Sequence, residues 1–145
     1  MIAMRTPTPR DQAYAWHTNA LKGVYGDPII YDETPQAGWY KRRLVKGGPF
    51  VPARIWIDAE VDEETGDLLS EETVQCEVNG RYADATDQWQ WLCQNPITEA
   101  EFNYMTARLA YAQVHEPGDP IADVRNPIDW LRVPLPSPIN RRTEP

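Results

Sequence analysis

Residues 38 to 57 read as two strands joined by a glycine turn. From Phe50 to Ile57, Val51, Ala53, Ile55 and Ile57 fall on one side, and Phe50, Arg54 and Trp56 on the other, because strand side chains point alternately to the two faces. The first side reads as core. Trp39 to Val45 forms the preceding strand, with Trp39, Lys41, Arg43 and Val45 on one side and Tyr40, Arg42, Leu44 and Lys46 on the other, neither cleanly apolar. Lys46-Gly47-Gly48 supplies the turn, since glycine reaches positive φ without steric penalty. Pro49 and Pro52 lack an N–H for the ladder, so the return strand is expected to begin as an edge or to bulge near residue 52.

Elsewhere the period changes to 3.6. Ala13, Trp16, Ala20 and Leu21 form a stripe behind Thr8, Pro9 and Asp11, a hydroxyl cap, a first-turn proline and an acid at the positive end of the helix dipole. A helix is predicted from about residue 9 to 22, ended by Gly23 or Gly26. His17, beside the stripe, is expected as a boundary histidine with one hydrogen bond. Residues 24 to 37 read as a loop with one short extended piece, Ile29 to Tyr31. A second hairpin is expected to turn at Asp62 to Asp67, around Thr65-Gly66, followed by a strand from Thr73 to Val78 and the hairpin dipeptide Asn79-Gly80. Asp84 to Cys93, carrying Trp89 and Trp91, suits a short helix capped near Asp84 or Thr86. Asn95-Pro96 breaks it. Thr98 with Glu101 makes a capping box for a helix from about 99 to 115, with Phe102, Met105, Leu109 and Ala112 toward the sheet and Tyr104, Arg108, Tyr111 and His115 on a second stripe.

The sum is an α+β fold: a small antiparallel sheet of three to five strands, in two or three hairpins, packed with the N-terminal helix and the helix at 99–115. Its 145 residues suit a single domain spanning 1–125, followed by an extended Pro-rich tail. That tail, 126–145, contains Pro127, Pro134, Pro136, Pro138 and Pro145 together with Ile128, Trp130, Leu131, Val133, Leu135 and Ile139. Prolines exclude helix, and the apolar residues point to docking in an extended form, on this domain or on a partner.

Charge divides the middle of the chain. Lys41, Arg42, Arg43, Lys46 and Arg54 lie within 38 to 56, whereas 58 to 77 holds Asp58, Glu60, Asp62, Glu63, Glu64, Asp67, Glu71, Glu72 and Glu77. The acids either solvate exposed faces and pair across strands or form an interaction surface. A net charge of −8 and a pI near 4.7 argue against whole-surface binding to duplex DNA. No apolar run approaches membrane-spanning length and no signal pattern opens the chain, so a cytoplasm is the expected compartment.

Chemical motifs are sparse. Phosphate loops, dinucleotide fingerprints, nucleophile elbows, HExxH and CxxC are all missing from the sequence. His17, Cys76, Cys93 and His115 lie too far apart for the paired spacing of a zinc site. Two histidines and many acids single out no triad or acid–base pair, so the reading leans away from an enzyme, with no cofactor. The ligand-binding candidates are Trp39, Tyr40, Lys41, Arg42, Arg43, Lys46, Arg54 and Trp56, cations to hold phosphate and aromatic faces to stack on bases. Tyr104, Arg108, Tyr111 and His115 are a secondary candidate surface.

The runs GWYKRRLVKGGPFVPARIW (38–56), NPITEAEF (95–102) and NPIDWLRVPLP (126–136) resemble small uncharacterised proteins of tailed phages and prophages of proteobacteria. The resemblance covers most of residues 38–139 and leaves out the N-terminal helix. It implies a bacterial cell during phage growth as the setting, with the host cytoplasm as the compartment and the virion as an alternative, and a host or phage protein, single-stranded nucleic acid or a nucleotide as the partner. Three functions compete: a phage accessory protein binding a protein or phosphate-bearing ligand through hairpin 38–56, an inhibitor of a host defence protein using 58–77 as a nucleic-acid mimic, and a virion component. In the last, the tail contacts neighbouring subunits, which also admits a homo-oligomer.

Overall fold

The computed structural model describes residues 6–30 and 32–128. Five strands form one antiparallel sheet in the order β4-β3-β2-β1-β5. They are β1 (Gly38–Arg43), β2 (Phe50–Asp58), β3 (Thr73–Val78), β4 (Arg81–Ala83) and β5 (Pro96–Ile97). Short helices α1 (Arg10–Ala13) and α2 (Ala15–Leu21) precede the sheet, α3 (Ala85–Leu92) follows β4, and α4 (Glu99–His115) follows β5. A 3-10 turn at Pro120–Ala122 then leads the chain back to the β1–β2 turn.

The register sorts the side chains. Tyr40 pairs with Ala53, and Ile55 with Cys76, so these residues share one face with Val51 and Val78. That face is buried under Trp16, Trp89 and Leu92 from α2 and α3. Trp89 and Tyr40 are 0 % exposed. Their rings meet edge to face at 5.5 Å, and Trp16 meets Trp89 edge-on at 5.1 Å, the geometry that the ring quadrupole favours. The opposite face carries Trp39, Lys41, Arg43, Phe50, Pro52, Arg54 and Trp56. There α4 crosses the sheet: Phe102 and Leu109 share a cleft with Pro52 and Glu77, and Met105 and Arg108 share another with Phe50 and Arg43. Leu109 and Ala112 are buried in this packing, with Phe102 and Met105 half-buried.

Local chemistry accounts for most boundaries. Asp84 accepts a hydrogen bond from the Asp87 N–H at 3.0 Å, and Thr98 accepts one from Glu101 at 3.1 Å, capping α3 and α4. Asn79 (φ 54°) and Gly80 (φ 78°) both take positive φ in the β3–β4 turn, as a two-residue turn of matching twist requires. At the second turn the Asp62 carboxylate accepts from the Glu64 and Thr65 N–H groups. There only the single bridge Val61↔Leu68 forms, in place of extended strands.

Several expectations change. Pro52 neither bulges β2 nor places it at an edge: β2 is bonded on both sides. The Pro52 carbonyl accepts from Asn79 N–H, so its missing N–H also faces that side, past the end of β3, and no bond to β1 is lost. The N-terminal helix is broken at Tyr14 (φ −99°, ψ 8°), whose ring leaves the helical course to stack on Trp39 at 5.0 Å. Thr8 caps nothing; its hydroxyl donates to Glu72 at 2.7 Å. β1 ends at Arg43 rather than at Val45. Ile29 and Ile30 form no strand, although Ile29 packs on the core; Tyr31 lies outside the described residues. So does the tail beyond Ile128. The part that is described, Asn126–Ile128, runs along the β1–β2 turn, with Ile128 N–H donating to Gly47 O at 2.8 Å.

His17 also differs from the boundary residue expected. It is 3 % exposed, and its Nε2 lies 2.9 Å from Trp39 O and 2.8 Å from Ile97 O. Both neighbours are acceptors, so Nε2 carries the hydrogen and shares it between them. One imidazole thereby ties α2 to β1 and β5. The Gly38 position leaves room for it: a Cβ there would sit 2.5 Å from the imidazole ring.

Candidate functional site: the cationic cleft at the hairpin turn

Strand alternation divides the eight candidates of the first hairpin. Tyr40 faces the core, with its hydroxyl donating to Gln36 O at 2.9 Å and burial pushing its pKa well above the ordinary tyrosine value; it has no surface for a ligand. Arg42 is on the same face. Its Nη1 donates to Gln88 Oε1 at 2.7 Å and its guanidinium covers the Trp91 ring at 4.4 Å, with burial lowering its pKa. Arg42 therefore braces α3 against β1. Trp39, Lys41, Arg43, Arg54 and Trp56 lie on the other face, and Lys46 is exposed in the turn.

Those remaining residues form two groups. In the first, Arg54 covers Trp56 at 4.3 Å and pairs with Glu77 at 3.2 Å, and Trp39 carries Tyr14 and Arg10. This group borders a cleft of about 370 Å³ that also contains Glu72. With two carboxylates beside two guanidiniums, it offers little net positive charge. The second group lies around the turn. Lys41 and Arg43 both approach the Phe50 ring, at 4.7 and 4.1 Å, and Arg43 Nε donates to Gly48 O at 2.9 Å. Arg43 borders a cleft of about 460 Å³ whose walls include Phe50, Met105, Arg108 and Ile121, with Asp119 as its acid and Ile128 at its rim. Lys46 precedes the wall residue Gly47 in the chain. Two guanidiniums thus face one carboxylate over an apolar floor, with Lys41 over the Phe50 ring, on a chain whose net charge is −8. The cleft falls in the size range of ligand sites, about 300–1,000 Å³.

The aromatic rings already carry cations, which changes the chemistry expected of them. Phe50, Trp56, Trp39 and Trp91 each have a guanidinium or ammonium over the ring. Stacking on a base would require displacing it. Pre-stacked cations lose less side-chain freedom on meeting an anion, so the arrangement suits phosphate or carboxylate better than base faces.

Of the secondary stripe, Arg108 reaches this cleft, whereas Tyr104 and Tyr111 are exposed and Tyr111 packs on His115 at a ring separation of 4.6 Å. Sequence reading placed Arg43 and Arg108 on separate surfaces; the packing of α4 across β2 brings them together. Cys76 and Cys93 are buried free thiols, and burial, with smaller contributions from Asp84 and Glu77, pushes Cys76 to about 11. Among the described residues no three His, Cys, Asp or Glu side chains converge as metal ligands, and no helix is long and apolar enough to cross a membrane. No family model, curated protein or solved structure matches the chain.

Proposed function

We propose that the protein is a non-enzymatic accessory protein of a tailed phage that holds a phosphate-bearing ligand in the cleft between the β1–β2 turn and α4. The carrying observation is the convergence of Arg43 and Arg108 on one cleft, flanked by Lys41 and Lys46, with Asp119 as its acid. Arg43 is fixed in two ways, by Phe50 beneath it and by Gly48 O. A guanidinium held in place binds a phosphate oxygen with less ordering to lose. Phe50 and Met105 then offer apolar surface to whatever group carries the phosphate.

Short single-stranded oligothymidylate is a suitable probe. Neutralising three to four phosphates gives a binding constant that falls about 20- to 50-fold between about 50 and about 200 mM salt. The double variant Arg43→Ala/Arg108→Ala should lose most of that binding and its salt slope while keeping the wild-type circular dichroism. Unchanged affinity in the folded double variant refutes the assignment.

A second reading rests on the acidic segment. Asp58, Glu60, Glu63, Glu64 and Glu71 are exposed, and the single ion pair among the described residues is Arg54–Glu77. Exposed carboxylates without paired cations suit mimicry of a nucleic-acid backbone toward a basic host protein. Charge reversal at Glu60, Glu63 and Glu64 abolishes capture of such a partner on this reading and leaves oligothymidylate binding intact.

A further inference from the structure

We propose that the open edge of β4 docks an extended acidic peptide of a partner protein, which pairs with the Tyr82 backbone and sets its carboxylates against Arg81 and Arg125. This docking is independent of the phosphate-bearing ligand proposed above. Asn79 N–H donates to Pro52 O at 2.9 Å, so the residues of β3 bonded to β2 are Glu77 and Gln75, at steps of two from it. Val78 and Cys76 then turn their N–H and C=O groups toward β4, where they lie opposite Arg81 and Ala83. Tyr82, opposite Glu77, points its own N–H and C=O away from the sheet. β4 is the outermost strand on that side, and among the described residues no turn or loop group bonds this pair. An edge residue in this state is a template for one more strand.

The cleft beside that edge selects the chemistry of the partner. It measures about 490 Å³, between β4 and residues 122–125, with Leu44 and Val124 among its apolar walls. Arg81 and Arg125 border it; both are exposed, and neither forms an ion pair among the described residues. Gln88 Oε1 accepts from Arg42, which leaves the Gln88 amide N–H groups as donors. The acid of the cleft, Asp123, is engaged by the Asn126 amide. Arg81 and Ala83 share the sheet face of Val78 and Cys76. In an added strand, the residues flanking the one bonded to Tyr82 therefore project toward this cleft. Carboxylates at those two positions meet the guanidiniums. The residue between them falls on the opposite face, beside the Tyr82 ring, which is 79 % exposed and lies 6.1 Å from Trp56. The sequence recognised is acid–apolar–acid in extended form.

The probe is the blocked peptide acetyl-Thr-Glu-Val-Glu-Thr-amide, titrated to millimolar concentration at low salt into the 15N-labelled full-length protein. Saturable amide shifts at Arg81, Tyr82 and Ala83 are expected, with hydrogen exchange of the Tyr82 N–H slowed. Arg81→Ala and Arg125→Ala, both at exposed positions, should each weaken binding about two- to fivefold, and added salt should do the same. N-methylation of the peptide's valine removes the donor that Tyr82 C=O accepts and should abolish binding, as should lysine in place of both glutamates. Arg43→Ala/Arg108→Ala should leave the peptide's affinity unchanged, which keeps this edge distinct from the turn cleft whether or not oligothymidylate binds there. Undiminished binding of the N-methylated peptide overturns the proposal, and so does unchanged affinity in the folded Arg81→Ala/Arg125→Ala variant. Shifts centred on Arg43 and Arg108, or no saturable shift at all, overturn it equally. Tyr82 shifts that grow with protein concentration before any peptide is added would assign the edge to a second copy of the chain and also overturn it.

Discussion

Substituting His17 tests how the N-terminal helices are attached to the sheet. In His17→Ala the carbonyl oxygens of Trp39 and Ile97, 2.9 and 2.8 Å from Nε2, lose the N–H they share but keep the β1–β5 ladder pairing, so the lost hydrogen bond costs about 0.5–1.5 kcal/mol. Two edge-on contacts disappear as well, with Trp39 at 5.5 Å and Tyr40 at 5.4 Å, each worth about 0.5–1.5 kcal/mol. These contributions overlap, so a total loss of about 1–3 kcal/mol is expected. A pH signature accompanies it. Burial lowers the His17 pKa below 6.5, against a smaller opposite pull from the two carbonyls. The unfolded chain therefore takes up the proton more readily than the folded one. This contribution to stability is complete above pH 6.5 and declines as pH falls, with a slope of at most about 1.4 kcal/mol per pH unit, until the folded pKa is passed. Urea unfolding followed by circular dichroism at about pH 7.5 and about pH 5 measures both effects, with His17→Gln as the control that keeps a donor and cannot titrate. Equal pH dependence in wild type and His17→Gln refutes the reasoning, as does a His17→Ala variant within about 0.5 kcal/mol of wild type.

Further outcomes follow from the same packing. Arg42→Ala loses the Gln88 bond and the cover over Trp91; modest destabilisation is expected with oligothymidylate affinity unchanged, and a large loss of affinity would move the ligand to the α3 side of the sheet. Cys76 and Cys93 should react with a disulfide reagent near pH 8 only as fast as the protein opens, since burial keeps both protonated and shielded; labelling at the rate of a free thiol in the native protein contradicts their placement in the core.

Much of the fold was legible because its signals are local. The spacing of Val51, Ala53 and Ile55 identified the buried face of β2, Asn79-Gly80 the tight turn, and Asp84 and Thr98 the starts of α3 and α4. Features set by tertiary packing were not. β5 has two residues, too few for a period, and exists because Ile97 meets Trp39 at the sheet edge. The break at Tyr14 leaves the apolar stripe unaltered and coincides with the stacking of its ring on Trp39, a contact between separate segments. His17 has the same surroundings in sequence whether it lies at a boundary or between two carbonyls. For the candidate site, nearness in sequence misled: Arg42 and Arg43 are adjacent and point to opposite faces, a separation the alternation itself implies. Joining Arg43 to Arg108 required the crossing of α4 over β2, which no spacing encodes.

Amide chemical-shift mapping of the 15N-labelled protein during titration with oligothymidylate at low salt tests the central claim most directly. The account predicts perturbations concentrated at Arg43, Lys46, Gly47, Gly48 and Arg108, weakening as salt is added. Shifts centred on Trp56 and Tyr82 or on Arg42 and Trp91, or no shifts at all, would contradict it.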